Sequence, residues 1–426
     1  MPSPAEKEIV VPILPEQQNP FCIMGVKICG VILGMFFSVF LTGQIFLLSN
    51  QDIVLTGLFI TAYLTSFVIT YPIVAHLCKK FPPIYMIRMS AIFAFAFLAV
   101  IVFMPDIVIN HAILLGGLWG ITRGFYWCVI EYAVATKFNG SNTLKFDLLY
   151  RKLKLLTAII FPITFGLIIN FGDFVYTAIL VLVVCGVKVA LSFGIKLKRP
   201  EEKGLRVRQF FRTLKSNGKM KPAIQLWLIS ALKGPSVVLS FAIVMLIIMA
   251  YGTHLDLGIL HSVIAIVAIM VTFVYKRVPL NVQLILYFVI VSLMFIASIP
   301  LLFTVGVISV FIFKLFFSSS AIIKAEHGSA YLNFAKTLNT EQYTIESHLF
   351  LTVGIWFGRF IMCMLMILAG LFGGYVWFVG VVLTMIVSYA LSAVFLWIWK
   401  QKYIFKDTKG IIPSEDCECE SECECI

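Results

Sequence analysis

Apolar runs of roughly 20 residues, the length a helix needs to cross bilayer hydrocarbon, recur from Ile23 to Trp399 with short polar stretches between them. They predict spans over 23–48, 53–76, 84–104, 107–135, 153–171 and 174–196. A second set is predicted over 223–251, 255–275, 280–303, 305–325, 346–370 and 373–399. These runs do not alternate apolar and polar residues as the strands of a membrane β-barrel do. The expected fold class is an all-α integral membrane protein, with twelve transmembrane helices in two six-helix bundles.

The charges between the runs test that count. Lys79, Lys80 and Arg88 follow the second span, and Lys137, Lys145, Arg151, Lys152 and Lys154 follow the fourth. Ten more basic residues lie in 196–221. Lys276 and Arg277 follow the eighth span, Lys324 and Lys336 the tenth, and Lys400, Lys402, Lys406 and Lys409 the twelfth. The opposite connections lack lysine and arginine and carry Asp52, Asp106, Asp173 and Asp256. Cytoplasmic loops concentrate lysine and arginine. One missed or invented span would invert every later loop, so the alternation supports an even count with both termini in the cytoplasm. It also explains the net charge of +12 without a nucleic-acid partner, leaving anionic membrane lipid as the expected contact of the basic loops.

Composition agrees. Hydrophobic residues make up 61% of the 426 and charged residues 13%, and the mean hydropathy is +1.00, too little polar surface to coat a water-soluble globule. The first twenty residues, with Glu6, Glu8 and Glu16, lack the basic start and small-residue cleavage site of a signal peptide and read as a cytosolic leader. Six cysteines (Cys22, Cys29, Cys78, Cys128, Cys185 and Cys363) fall singly in or beside apolar segments, a pattern of small hydrophobes rather than of a disulfide framework. The expected organisation is a leader at 1–22, a bundle at 23–196, a basic cytosolic linker at 197–222, a second bundle at 223–399 and a tail at 400–426. The expected location is a multi-pass position in a bacterial cytoplasmic membrane, as a monomer.

The linker falls midway, and the halves repeat each other. In the first, a polar loop with Phe138 and Asn139 precedes a span ending in Asn170, Phe171 and Gly172. In the second, Asn333 and Phe334 precede a span ending in Ala369 and Gly370, and Gly373 and Gly374 open the last span. Parallel repeats of this kind mark transporters with a substrate site at the midplane. The 6+6 plan resembles the major facilitator superfamily over nearly the whole chain. That family's signature between its second and third spans is a glycine, an aspartate and then basic residues. Here the stretch reads Val74-Ala75-His76-Leu77-Cys78-Lys79-Lys80-Phe81-Pro82-Pro83. Lys79 and Lys80 keep the basic part, the glycine and aspartate are replaced, and Tyr275-Lys276-Arg277-Val278-Pro279 is similarly reduced. The departure bears on the inner-gate clasp that the aspartate makes in the family.

Ionisable residues inside a membrane are expensive, at least about 2.5–3.5 kcal/mol each at mid-bilayer by insertion scales, and so mark candidate sites. Arg123, Lys188, Lys314 and Arg359 fall near the middles of the fourth, sixth, tenth and eleventh spans, and Lys233 a third of the way along the seventh. The resemblance implies that spans one, four, seven and ten line a central cavity, that two, five, eight and eleven assist, and that the rest face lipid. It therefore places Arg123, Lys233, Lys314 and Arg359 in the cavity and leaves Lys188 outside, snorkelling. Glu131, the clear acidic candidate within a span, is eight residues from Arg123, about 80° around the helix. The excess of positive charge calls for an anionic substrate. Arginine suits this best, because its planar fork can bind two oxygens of a carboxylate or phosphate. The opposing reading pairs these cations with carbonyls, helix C-termini or water.

Tyr126 and Trp127 beside Arg123 offer stacking surfaces or ordinary packing, and Gln44 on the first span offers hydrogen bonds. Lys233-Gly234-Pro235 predicts a break, with Gly234 and Pro235 as a hinge or an unwound binding point. Glu131 is the candidate for proton coupling or for an inner-gate ion pair. Nothing resembles a phosphate-cradling nucleotide loop, and no cofactor is implied. The chain ends Cys417-Glu418-Cys419-Glu420-Ser421-Glu422-Cys423-Glu424-Cys425-Ile426. Cys417, Cys419, Cys423 and Cys425 are candidate ligands for Zn(II) or Cu(I), against a solvated acidic tail.

The sequence thus predicts a secondary transporter of a small organic anion, coupled to a proton or a counter-anion and working by alternating access. Two alternatives stay open: efflux of lipophilic compounds or lipid, and a non-transporting membrane sensor with a metal-responsive tail. No catalytic constellation is readable, and an enzyme is not expected.

Overall fold

The computed structural model describes residues 20–137, 141–195, 197, 205–277, 280–318, 323, 327, 330 and 343–403. Outside them lie most of the leader, the Phe138-Asn139 and Asn333-Phe334 repeat elements, part of the basic linker, Val278-Pro279 and the cysteine tail. Backbone groups have no water partners in hydrocarbon, so long apolar runs close their hydrogen bonds internally as helices. They stop where a cap or a special dihedral is supplied. Asp52 accepts from Val54 and Leu55 N–H at 2.7 and 3.3 Å and opens one helix. Pro83 opens the next. Gly252 (φ +77°) closes a third, and Gly374 (φ +81°) sits in the turn before the last.

The chain forms α1 (Phe21–Leu48), α2 (Ile53–Lys80), α3 (Pro83–Phe103), α4 (Ala112–Lys137), α5 (Ser141–Phe171) and α6 (Phe174–Phe193). Then come α7 (Met220–Tyr251), α8 (His254–Arg277), α9 (Leu280–Ile296), α10 (Val307–Ser318), α11 (Thr344–Phe372) and α12 (Tyr375–Tyr403). Among the described residues, ten helices are long and apolar enough to cross a membrane. The ninth and tenth expected spans coincide instead with shorter apolar helical stretches, Phe288–Leu302 and Val307–Phe317.

Three features depart from the sequence reading. α1 contains a π-turn over Phe36–Leu41, where the Thr42 hydroxyl donates to the Phe37 carbonyl at 3.0 Å. Such bulges put an extra residue into a helix and often lie at functional sites. The basic linker holds a helix, Val207–Ser216. Phe210 and Leu214 are buried on one face, and Arg208, Arg212 and Lys215 are exposed on the other. The break expected in α7 is not an unwound segment. Gly234 keeps right-handed helical dihedrals (φ −45°, ψ −46°) and donates to the Ser230 carbonyl at 3.0 Å.

Close packing rests on small residues, as expected where lipid supplies no hydrophobic drive between helices. Gly116, Gly120 and Gly124 form a ridge on α4 that lies against Phe59, Tyr63 and Thr70 of α2. A Cβ on Gly120 would fall 2.8 Å from Ser66 Cβ and closer still to the Tyr63 carbonyl. Overpacking of this kind costs about 1–3 kcal/mol or more. Gly120→Val is therefore expected to lower the melting temperature of the purified protein by several degrees, whereas Gly186→Ala, in open space, leaves it unchanged. Aromatic rings fill the middle of the core. Phe37 stacks on Trp119 at 3.5 Å between centroids, and Phe36 packs against Phe165 and Phe174.

Candidate functional site

Arg123 stands on α4, half-buried, with its side chain directed across to α1. Room for it comes from glycines. The guanidinium lies 3.6 Å from where a Cβ on Gly34 would be, and the Tyr126 hydroxyl fills the space beside Gly30. Nη1 donates to the Gly30 carbonyl at 3.3 Å. The cation sits over three rings of its own helix, Trp119 at 5.5 Å, Tyr126 at 5.7 Å and Trp127 at 5.2 Å. Its Nε is buried with no hydrogen-bond partner among the described residues. The result is a half-buried cation held by π faces and one carbonyl, with donor capacity to spare.

Lys188 belongs to this cluster, and its predicted place at the lipid surface is corrected. The residue is 2% exposed. Its ammonium lies 3.5 Å from the Ser90 hydroxyl and 4.4 Å from the Tyr126 ring, with Cys29, Cys185 and Arg123 in electrostatic range. Hydropathy cannot say which side of a helix faces lipid. Here α6 packs against α3 and α1 through the side that carries Cys185 and Lys188.

The other candidates occupy different helices. Lys314 is buried on α10, within electrostatic range of His261. Lys233 ends the first segment of α7, half-buried, and Arg359 is half-buried on α11. α7 and α11 touch at Gly234, where a Cβ would meet the Ile355 carbonyl and lie 2.9 Å from the Arg359 backbone nitrogen. Pro235 is buried at the start of the second segment of α7. Gln44 hydrogen-bonds His254 at 2.8 Å and so bridges α1 and α8. Glu131 lies on α4, but its side chain falls outside the described residues. Cys417, Cys419, Cys423 and Cys425 are outside them too. Among the described residues no group of three or more His, Cys, Asp or Glu could share a metal ion.

One ion pair had no counterpart in the sequence reading. Lys79 Nζ, at the end of α2, lies 2.8 Å from Glu346 Oε1, at the start of α11, with the side chains 3% and 1% exposed. The same oxygen accepts from the Arg206 backbone N–H at 2.8 Å, just ahead of the linker helix. Three distant parts of the chain meet at this carboxylate. The available signal was the acid that opens an apolar run opposite a basic loop. At the other end of the same helix pair, Gly57 packs on Ile367 and Gly370 on Val54. α5 and α8 cross closely as well, through Gly166, Gly258 and a 2.6 Å hydrogen bond from Ser262 to the Ile159 carbonyl.

The long apolar helices define a multi-pass integral membrane protein. Its architecture matches a solved transporter. The in meso crystal structure of the POT family transporter PepTSo superposes with a TM-score of 0.67 at 9% identity, covering 92% of this chain and 100% of that one. No protein-family model matches the sequence, and no curated protein matches it. The likeness is one of fold, shared across chains whose residues have diverged.

Proposed function

We propose that the protein is a secondary transporter of the major facilitator type, in which two six-helix halves move a small organic anion by alternating access. The observation that carries the reading is the environment of Arg123. Among the described residues, its partners are a carbonyl and three rings rather than a carboxylate. A half-buried cation whose Nε is closed off from water gains a partner when a carboxylate or phosphate binds it. Arg359, Lys233 and Lys314 add positive charge on the helices that the family resemblance assigns to the cavity or its support. Gln44, Tyr126 and Trp127 complete the proposed substrate set, and Gly234 and Pro235 form the hinge of α7.

The fold likeness to a transporter supports the class. The loop charges support a cytoplasmic basic end, with α9 and α10 as the ninth and tenth crossings. On that orientation the Lys79–Glu346 pair is the inner gate. The exchanged or coupled species is a proton, with Glu131 as carrier, or a second anion.

The test is uptake into proteoliposomes from a panel of carboxylates and phosphomonoesters. Saturable uptake that other anions inhibit is the expected result. Arg359→Gln is expected to lower it about 10–100-fold, the effect of losing one hydrogen bond to a charged group. Saturable uptake of cations or neutral compounds, insensitive to anions, would sink the reading.

A further inference from the structure

A groove of about 580 Å³ runs along the outside of the bundle between α7, α11 and α12, and Arg123 is not among its lining residues. Its volume is in the range of about 300–1,000 Å³ that small-molecule sites occupy. Its walls face outward: Leu228, Phe357, Ile361, Phe395 and Ile398 are all 40–55% exposed. The groove extends along α12 from Ser388 to Tyr403, fifteen residues, or about 22 Å of helix. That distance covers one leaflet, whose hydrocarbon is about 15 Å deep.

Polar groups in the groove are distributed unevenly. The Ser388 hydroxyl donates to the Leu232 carbonyl at 3.0 Å, and the Trp399 indole donates to the Pro222 carbonyl at 3.0 Å. Both are satisfied within the protein, so the long wall they occupy presents carbon. Among the described residues Lys402 is the one charged lining residue, and it stands at the end nearest the basic loops, exposed, with its ammonium 5.5 Å from the Tyr403 ring. Gln225 lies at the same end, near the start of α7. An apolar trough one leaflet long with a cation at its interfacial mouth has the shape and charge of an anionic lipid.

We propose that this groove binds one anionic phospholipid from the leaflet at the basic end, with an acyl chain along α12 and the headgroup phosphate on Lys402. The lipid bridges α11 and α12 to α7, so it bears on the segment beside the proposed hinge at Gly234. The groove touches the proposed hinge at Pro235, but none of the proposed substrate-binding side chains lines it, and its test does not depend on transport.

The test is native mass spectrometry of the full-length purified protein exchanged into phosphatidylglycerol or phosphatidylcholine. Wild type is expected to retain phosphatidylglycerol preferentially. Lys402→Gln is expected to cut that retention about fivefold, the effect of one basic residue on an anionic lipid, and to leave phosphatidylcholine unchanged. Lys402→Arg keeps the preference, and Leu228→Trp, which fills the trough, lowers retention of both lipids. Because Lys402 is exposed at a helix end, its substitutions leave folding intact and keep the test decisive if Leu228→Trp fails to fold. Equal retention of phosphatidylglycerol by wild type and Lys402→Gln overturns the proposal. So does a wild type that proves to be a dimer and becomes a monomer in Leu228→Trp while keeping its lipid, which would make the groove a contact between copies of the chain.

Discussion

Replacing Glu346 by glutamine is expected to open the Lys79 end of the bundle. In the wild type the Lys79 ammonium is 2.8 Å from the Glu346 carboxylate, and both side chains are almost fully buried. Removing one partner of such a pair leaves an uncompensated buried charge, at a cost of about 3–5 kcal/mol. A shift of that size moves a two-state equilibrium roughly 10²–10³-fold. The neighbouring residue supplies the probe, since Cys78 is buried at 2% exposure. A membrane-impermeant maleimide is expected to label Cys78 much faster in Glu346→Gln than in wild type, and the charge-swapped double variant Lys79→Glu/Glu346→Lys to regain slow labelling. Cys185 and Cys363, at 0% exposure in the cores of their bundles, are the controls. If they label in step with Cys78, the substitution has unfolded the protein and the pair is not a gate. Unchanged labelling of Cys78 would equally reject the gate.

Arg123→Gln is expected to abolish saturable anion uptake, and Arg123→Lys to restore little of it. The guanidinium is a flat cation lying against Trp119, Tyr126 and Trp127 while one nitrogen donates to the Gly30 carbonyl. A lysine ammonium can replace the charge but neither the stacking nor the two-point grip on an oxyanion. Losing a charge-assisted bidentate contact together with the cation–π contribution amounts to about 3–4 kcal/mol, or roughly 10²–10³-fold in affinity. Trp119 and Trp127 also offer a binding readout free of transport. Addition of the transported anion is expected to change tryptophan fluorescence in wild type and not in Arg123→Gln. A fluorescence response and uptake that both survive Arg123→Gln would remove this residue from the site.

The helices were legible because lipid imposes one severe rule, internal closure of every backbone hydrogen bond over a fixed thickness. That rule leaves its mark in any single stretch of chain. The reading failed where an answer depends on a partner far away in sequence. Glu346 looks unremarked beside its loop until Lys79, 267 residues away, comes to it in space. Lys188 has the hydropathy context of a lipid-facing residue, and only the packing of α6 against α3 turns it inward. The π-turn in α1 has no sequence mark, because Phe36–Leu41 is as apolar as the turns on either side. The linker helix was visible in principle. Phe210 and Leu214 are four residues apart and share one helical face among arginines, but the basic composition of the stretch concealed that spacing. Candidate cations could be named from depth alone, whereas their neighbours could not. The glycines that admit Arg123 sit on α1, not on its own helix.

The glycine seam between α4 and α2 has a mechanical meaning as well. Arg123 sits next to the last glycine of the run Gly116, Gly120 and Gly124 on α4, and Lys79 stands in the last turn of the helix pressed against that run. Backbone lies close to backbone at three successive turns, a contact expected to hold α2 and α4 together as a single beam. On the proposed transport cycle, a pull that substrate applies at Arg123 would reach the far tip of that pair, where Lys79 meets Glu346, and would turn occupancy at mid-membrane into leverage at its edge.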